Sequence, residues 1–128
     1  MDISTSNQPC LIDIRKTVEY QRWEARPNDV AAAAIDARIR HLQLGKKGDW
    51  RPVGEGVCEL RLLRTDPGWR IYFHETNLGN LVLLLLGGDK SSQKNDIKQA
   101  QAILHELKAA QTTLKKQQRL AQDKTARR

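Results

Sequence analysis

The sequence predicts an α+β domain in which helices pack on one face of an antiparallel sheet. Three short segments after residue 56 are either continuously apolar or alternate between apolar and polar residues, which is typical of strands. Two segments before them, and one after, space their apolar residues three or four apart, as helices do. The length of 128 residues, 39% of them hydrophobic and 29% charged, fits one globular domain with one core.

The first strand and the first helix are predicted between residues 10 and 26. Residues 1–9 are polar and expected to be loose. The segment 10-CLIDIRK-16 alternates between apolar and polar residues, which predicts a strand with Cys10 and the two isoleucines on one face. Thr17 is a natural N-cap for a helix that places Tyr20 and Trp23 toward the core. Pro27 ends that helix.

A second helix is predicted over residues 29–44, capped by Asn28 or Asp29. Its apolar stripe consists of Ile35, Ile39 and Leu42. Gly45 is a favourable stop, and the glycine-rich and proline-containing segment 45–56 is predicted to be a loop.

The next three segments predict an antiparallel meander. Val57–Leu63 and Trp69–His74 alternate around a turn at 65–68, and 81-LVLLLL-86 follows a second turn at 77–80. The last strand is apolar on both sides and is therefore expected to be covered. Alternation places one polar stripe on the sheet face away from the helices: Glu59, Arg61, Arg70, Tyr72 and His74.

A last helix is predicted from about Gln93 after a cap at Ser91 or Ser92. The order of elements is thus β-α-α-β-β-β-α. Its apolar stripe runs through Ile97, Ala100, Leu104 and Leu107, and apolar residues become sparse beyond that point. We therefore expect a folded domain over residues 1–107, followed by a basic helical extension or tail over residues 108–128.

The net charge of +7 is concentrated in two regions. Residues 108–128 carry +6 and residues 38–70 carry +4. Such excesses favour a polyanionic partner. For the tail, a solvated helix end is an equally good explanation.

Several classes of protein are not indicated. The chain shows no signal-peptide pattern, and its longest apolar run is too short for a membrane span, which predicts a cytoplasmic protein with no membrane partner. Two cysteines without a CxxC motif do not suggest a disulfide framework. No His, Cys or carboxylate pair has metal-site spacing, and 87-GGDKSS-92 lacks the spacing of a phosphate-binding P-loop, so neither a metal nor another cofactor is expected.

Three motifs together resemble the RelE/ParE superfamily of type II toxins, and most of all its HigB-like "addiction module killer protein" branch. They are 59-ELRLL-63, 68-GWRIYF-73 and 81-LVLLLLGGDKSSQKNDI-97. The resemblance implies the RelE fold and a ribosome-dependent mRNA endonuclease that inhibits translation. In such enzymes the 2′-hydroxyl attacks the adjacent phosphate without a metal. It also implies a cognate antitoxin, contact with the ribosome and mRNA, and operator DNA bound only through the antitoxin complex.

The resemblance assigns the catalytic positions to Arg70, Arg61 and Lys90. Arg70 of GWRIYF matches the family's phosphate-contacting arginine, and Arg61 matches a basic position on the preceding strand. Lys90 lies near the basic position that follows the last strand. The family's C-terminal histidine or tyrosine has no clear match, so the resemblance does not identify a general acid.

The roles of the remaining polar residues stay open at this stage. Glu59 lies beside Arg61 and can act as a base or, more simply, orient that arginine. Tyr72 can stack on a base or pack across the sheet. Lys90 is a proton donor or an ordinary exposed lysine. RNA-backbone contacts are expected from three residues of the 45–56 segment, namely Lys46, Lys47 and Arg51, unless that segment is simply a charged loop.

Two other functions are compatible with the same sequence. The ParE branch implies a non-nucleolytic poison of DNA gyrase, for which the arginine stripe would be dispensable. A degenerate toxin homologue that only binds RNA or operator DNA would account for the basic tail.

Overall fold

The computed structural model describes residues 11–62, 67–76 and 79–126, with the backbone alone for 123–126. In these ranges it contains five strands and three α-helices, with one 3-10 turn at Lys90–Ser92. The elements are β1 Asp13–Lys16, α1 Val18–Glu24, α2 Asp29–Gln43, β2 Trp50–Gly54, β3 Val57–Arg61, β4 Arg70–Glu75, β5 Leu81–Gly88 and α3 Gln93–Ala126. The predicted α+β class is confirmed.

The five strands form one sheet in the order β1-β5-β4-β3-β2. The pairs β2/β3, β3/β4 and β4/β5 are antiparallel, as the predicted meander requires, whereas β1 pairs with β5 in parallel. Strand β5 therefore lies between β1 and β4. Both of its faces are covered, as its continuous apolar sequence predicted.

Helices α1 and α2 pack on one face of the sheet. The Thr17 hydroxyl accepts from the backbone N–H of Tyr20, and the Asn28 side chain accepts from that of Ala31, so the cap of α1 and the first alternative for α2 are confirmed. Tyr20 and Trp23 of α1 are buried against apolar residues of β3, β4 and β5. This face holds the larger of two apolar cores.

Helix α3 packs on the opposite face, so the expectation that helices cover only one face holds for α1 and α2 alone. Ala100 and Leu104 of α3 are buried against Val57, Tyr72 and Leu85 in a second core. The β4/β5 register shifts beside Tyr72, and Leu85 and Leu86 consequently both belong to this core. The polar stripe predicted for this face is thus partly covered by α3.

Strand β2 was not predicted, because its sequence 50-WRPVG-54 reads as part of a loop. It is an edge strand with four of its five residues exposed, and Pro52 is tolerated there because an edge strand need not donate every backbone N–H. The observed order is accordingly β-α-α-β-β-β-β-α. The strand adds Arg51 to the α3 face of the sheet, opposite Glu59.

Helix α3 is continuous from Gln93 to Ala126, so the expected boundary near residue 107 lies within a helix. Its buried residues end at Leu104, and every described side chain from 105 to 122 is exposed. Several predictions fall outside the described residues: those for residues 1–9, Cys10, Leu63, Thr65–Asp66, Asn77 and the last two arginines.

Candidate functional site

Two rows of side chains cross the sheet on the α3 face. In the first, Arg51 of β2 lies opposite Glu59 of β3, which lies opposite Tyr72 of β4. In the second, Arg61 lies directly opposite Arg70. Residues directly opposite each other on antiparallel strands share a face, and their Cβ atoms are about 5 Å apart. The register therefore gathers three arginines, called here the arginine cluster: Arg51, Arg61 and Arg70.

Glu59 is the fully buried centre of this cluster. Its Oε1 accepts from Arg51 Nε at 3.0 Å, and its Oε2 accepts from Gln93 Nε2 at 2.7 Å. Arg70 Nε lies 3.7 Å from Oε2, at ion-pair distance. A carboxylate without solvent is stable only when charges and donors surround it, and here two guanidinium groups and one amide do so.

Arg61 is held by a different carboxylate from the one that the sequence suggested. Its guanidinium lies 3.2 Å from one oxygen of Asp49 through Nε and 3.4 Å from the other through Nη2. Its backbone N–H also donates to the Asp49 carbonyl. The Nη2 contact is a hydrogen bond and the Nε contact an ion pair, and together they restrain the guanidinium while 40% of the Arg61 side chain stays exposed.

Lys90 and Arg70 both lie close to Gly68. A Cβ built on Gly68 would lie 3.5 Å from Arg70 Nη1 and 3.6 Å from Lys90 Cβ. Arg70 Nη1 also donates to the Gly68 carbonyl at 3.0 Å. Lys90 itself is exposed in the 3-10 turn, whose N-cap Asp89 accepts from Ser91. These bonds from Ser91 lower the pKa of Asp89, which serves as a turn residue.

Tyr72 is fully buried beneath α3, so the prediction that it contacts RNA does not fit the structure. Burial raises the pKa of its phenol, and the neighbouring Glu59 carboxylate raises it further. The second of the two roles left open by the sequence, a tyrosine packed across the sheet, is the one that the structure adopts.

Of the three expected RNA-backbone contacts, only Arg51 lies in the cluster. Lys47 Nζ is 2.6 Å from Glu75 Oε2 and 4.5 Å from the centre of the Trp50 ring. Glu75 pairs with Val82 and Trp50 pairs with Leu60, and both partners belong to the core under α1 and α2. Lys47 therefore lies on the face of the sheet opposite the arginine cluster. Lys46 is exposed in the turn before β2.

Two contributors to the site were missed by the sequence reasoning, Asp49 and Gln93. Asp49 precedes a strand that the sequence did not reveal. Gln93 opens α3 and joins the helix to the buried carboxylate. The only signal for Gln93 was its position at a predicted helix start, which says nothing about a contact 34 residues away in the chain.

His74, the last member of the predicted stripe, lies apart from the arginines. Its Nδ1 is 2.8 Å from the Gly56 carbonyl, at the other end of β4. It lies four positions along the strand from Arg70, or about 13 Å. Among the described residues, no group of three or more His, Cys, Asp or Glu side chains is arranged to hold a metal ion.

Comparison with known proteins finds a relative in sequence and solved structures of similar fold. An uncharacterized protein of Haemophilus influenzae is 43% identical over 97 residues, which cover 75% of this chain and 96% of that protein. No family model matches the chain.

The fold is that of RelE. The free Escherichia coli toxin RelE, in a mutant form, superposes with a TM-score of 0.58 at 6% identity, covering 72% of this chain and 95% of that one. A chain of the Mycobacterium tuberculosis toxin–antitoxin complex RelBE2 superposes with a TM-score of 0.52 at 15% identity, and the match covers 62% of this chain and 99% of that one. Within the described residues, no helix has the length and apolarity needed to cross a bilayer.

Proposed function

Because the chain belongs to the same family as its Haemophilus influenzae relative and has the RelE fold, we propose that it is the toxin of a type II toxin–antitoxin module. Its activity in this proposal is ribosome-dependent cleavage of mRNA in the cytoplasm. The sequence motifs favour the HigB-like branch of the superfamily. A cognate antitoxin holds the toxin inactive, and the toxin reaches operator DNA only within that complex.

The observation that carries the proposal is the arginine cluster itself. Arg61 and Arg51 each bind a carboxylate at one side and keep 40% and 51% of their side chains exposed. Arg70, with 12% of its side chain exposed, is fixed between Glu59 and the Gly68 carbonyl. Such preorganised guanidinium groups suit a phosphate that gains charge during a reaction, because they need no reorganisation when the charge appears.

The cluster supports a specific division of labour in RNA cleavage. The 2′-hydroxyl loses its proton to solvent water as its oxygen forms a bond to the adjacent phosphorus, the bond from phosphorus to the 5′-oxygen breaks, and the leaving 5′-oxygen takes up a proton. Arg61 and Arg70 stabilise the extra negative charge on the phosphorus oxygens. In this proposal the proton comes from Lys90, which is exposed and whose Cβ lies close to the same Gly68 that Arg70 contacts.

Glu59 is assigned an orienting role in this mechanism. It is fully buried, and both of its oxygens already accept hydrogen bonds, from Arg51 and Gln93. A general base has to reach the proton that it removes. The buried position favours orientation of the arginines over proton abstraction.

Induced expression in a bacterial host without the antitoxin tests this function. The wild-type chain should arrest growth and cut messages within reading frames, whereas Arg70→Ala and Arg61→Ala should each lower cleavage at least about 100-fold, the usual cost of a lost transition-state contact. Arg15→Ala is the matched control, because Arg15 is an exposed arginine on β1 that pairs only locally with Asp13.

Growth arrest with intact messages and induced DNA-damage signalling would refute the endonuclease and indicate the ParE-like mode. Soluble folded protein with no growth defect would refute toxicity and leave a binding function.

A further inference from the structure

Strand β5 ends in two glycines, and the space that their side chains would take is filled from both faces of the sheet. A Cβ on Gly87 would meet the Trp23 ring of α1, whereas a Cβ on Gly88 would overlap Asp96 Oδ2 of α3. The two glycines thus allow a helix on each face to bring one side chain close to the end of β5.

A cavity of about 350 Å³ lies at this end of β5, between α1 and the start of α3. Its volume falls within the range of small-molecule sites, roughly 300–1,000 Å³. Aromatic, acidic and basic side chains line it, and it is called here the β5-end cavity: Trp23, Arg26, Trp69, Asp89, Ser92 and Asp96. Arg26 is exposed, and its guanidinium has no ion-pair or hydrogen-bond partner among the described residues. The cavity therefore offers aromatic surface together with donors and acceptors.

The β5-end cavity adjoins the arginine cluster. Gly88 lines the cavity and lies directly opposite Arg70, on a neighbouring strand about 5 Å away. Trp69 directly precedes Arg70 in the chain, and Asp89 directly precedes Lys90. The two sites are close enough for one RNA strand to place a phosphate at Arg70 and a base in the cavity.

The charges in the cavity suit a neutral base better than a phosphate. Asp89 and Asp96 supply two carboxyl groups against the single guanidinium of Arg26, which gives no net attraction for an anion. Aromatic side chains, in contrast, bind the flat face of any base by stacking. The phosphate of a bound nucleotide is therefore expected at the arginine cluster, and its base in the cavity.

Asp96 is the residue in this cavity with an oxygen available to select a base. Its Oδ2 accepts from Ser92 Oγ at 2.5 Å, whereas its Oδ1 has no hydrogen-bond partner in the described part of the chain. Burial raises the pKa of this carboxyl, because the charged form has lost part of its water. A partly desolvated carboxylate oxygen gains from an N–H donor.

The four RNA bases differ in the donors that they offer to such an oxygen. Adenine, cytosine and guanine each carry an exocyclic amino group, which a carboxylate can accept from. Uracil instead has a carbonyl oxygen on each side of its single N–H, and both carbonyls would repel a carboxylate.

We propose that the β5-end cavity binds one base of the RNA strand held at the arginine cluster, and that Asp96 selects bases with an exocyclic amino group over uracil. Trp69, half-buried in the cavity wall, provides the stacking surface, and Arg26 donates to acceptor atoms of the same base. The inference rests on the RNA substrate of the proposed function, but it does not require cleavage.

Binding of short RNAs to the full-length chain tests the selection. The probes are labelled pentanucleotides with uracil at every position except the centre, which is A, C, G or U. Their riboses are 2′-fluorinated, so they lack the hydroxyl that attacks the phosphate and cannot be cut. Fluorescence anisotropy should show each amino base bound at least about tenfold more tightly than uracil, which corresponds to about 1.4 kcal/mol.

Asp96→Asn tests the selecting group, because an amide both donates and accepts and can therefore meet a uracil carbonyl. The preference over uracil should fall below about threefold in this variant. Asp36→Asn is the matched control, since Asp36 is an exposed carboxylate that lines a different cavity, and it should keep the preference. Urea denaturation establishes that each variant is folded.

Trp69 tests the stacking surface independently of Asp96. Trp69→Ala should weaken binding of the amino-base probes about tenfold, the usual effect of losing a stacked base, and Trp69→Phe should restore most of that loss. Trp50→Ala is the control and should leave binding unchanged, because Trp50 is an exposed tryptophan on β2 that does not line this cavity.

Three results would overturn the proposal. The first is absent or equal binding of the four probes to the folded wild-type chain. The second is a preference over uracil that survives unchanged in Asp96→Asn. The third is tighter binding of a free nucleoside monophosphate than of the probe with the same base, which would make a free nucleotide the occupant.

The proposed toxin function fails by a different result. If the preference for amino bases holds while translated messages stay intact, the chain binds RNA without cutting it, and the assignment of the cavity stands. Cut messages together with equal affinities for the four probes would retain the endonuclease and remove the cavity from its binding site.

Discussion

Glu59 is the residue on which the arrangement of the arginine cluster depends. Its two oxygens bind side chains from β2 and from the first turn of α3, and it lies at ion-pair distance from Arg70 on β4. One buried carboxylate thus ties three elements together at the candidate site. The acid is best understood as part of the scaffold for the cations.

We predict that Glu59→Gln lowers the free energy of unfolding by about 2–3 kcal/mol, because Arg70 would keep its nearly buried position without a counter-charge. Urea denaturation at neutral pH measures this. Arg51→Gln serves as the comparison and should cost less than about 1 kcal/mol, since half of the Arg51 side chain is exposed. Equal costs for the two variants would contradict the central place given to Glu59.

The residues of the site were predictable only in part. Strand alternation correctly placed Glu59, Arg61 and Arg70 on one face, because a period of two follows directly from strand geometry. Alternation does not say what covers that face, and α3 therefore left Glu59 and Tyr72 buried where solvent contact was expected. Lys47 was misplaced because its segment reads as a loop, and a loop sequence does not specify a face.

At the scale of elements, the start of α1 is fixed to the sheet by one side chain. Thr17 Oγ1 accepts from the Tyr20 N–H at 3.0 Å and donates to the Leu85 carbonyl at 2.8 Å. The first bond caps the helix and the second anchors it to β5. The threonine thereby positions Tyr20 and Trp23 in the core.

Thr17→Ala should lower the free energy of unfolding by about 1–2 kcal/mol, because it removes both the cap and the anchor. Thr17→Ser retains the hydroxyl and should recover most of that loss. Thermal unfolding of the two variants distinguishes these outcomes. A serine variant as unstable as the alanine variant would show that the methyl group, not the hydroxyl, matters.

Strand β5 and helix α1 approach closely at Gly87. A Cβ on Gly87 would lie 2.2 Å from an atom of the Trp23 ring, which packs edge-on against Trp69 with ring centres 5.8 Å apart. Gly87→Ala should therefore cost about 1–3 kcal/mol through overpacking.

A double-mutant cycle tests whether that cost arises from the ring. Trp23→Leu removes the atoms that the new methyl group would meet, so Gly87→Ala should cost at least 1 kcal/mol less in that background, an interaction of the size typical for residues in contact. Additive effects in urea denaturation would rule out the clash as the cause.

The elements themselves were largely predictable, and the exceptions have physical reasons. α1, α2 and α3 were recognisable because caps and apolar spacing act over one or two turns. β2 was missed because an exposed edge strand needs no apolar alternation and accepts Pro52. The face that α3 covers was also missed, since it depends on tertiary packing that no local pattern records.

At the scale of the whole molecule, α3 serves two regions. Its first three turns complete the second core and hold Gln93 against Glu59, whereas its second half extends beyond the sheet with exposed side chains. The two halves of one helix thus have different surroundings, and only the first contributes to the candidate site in the described residues.

We predict that a chain ending at Leu107 folds cooperatively, because Leu104 is the last buried residue among the described side chains of α3. Its urea-unfolding transition should remain single and steep, with a smaller m-value in proportion to the removed surface. A broad or absent transition would show that the second half of α3 is required for folding.

A purified translation reaction on a defined message tests the central claim most directly. RNA ends are mapped by primer extension after addition of the wild-type chain, Arg70→Ala or the control Arg15→Ala. The account predicts cuts within the reading frame that require ribosomes, appear with wild type and Arg15→Ala, and fall at least about 100-fold with Arg70→Ala. Intact message with every protein, or equal cutting by folded Arg70→Ala, would contradict the assignment of the arginine cluster as the site of RNA cleavage.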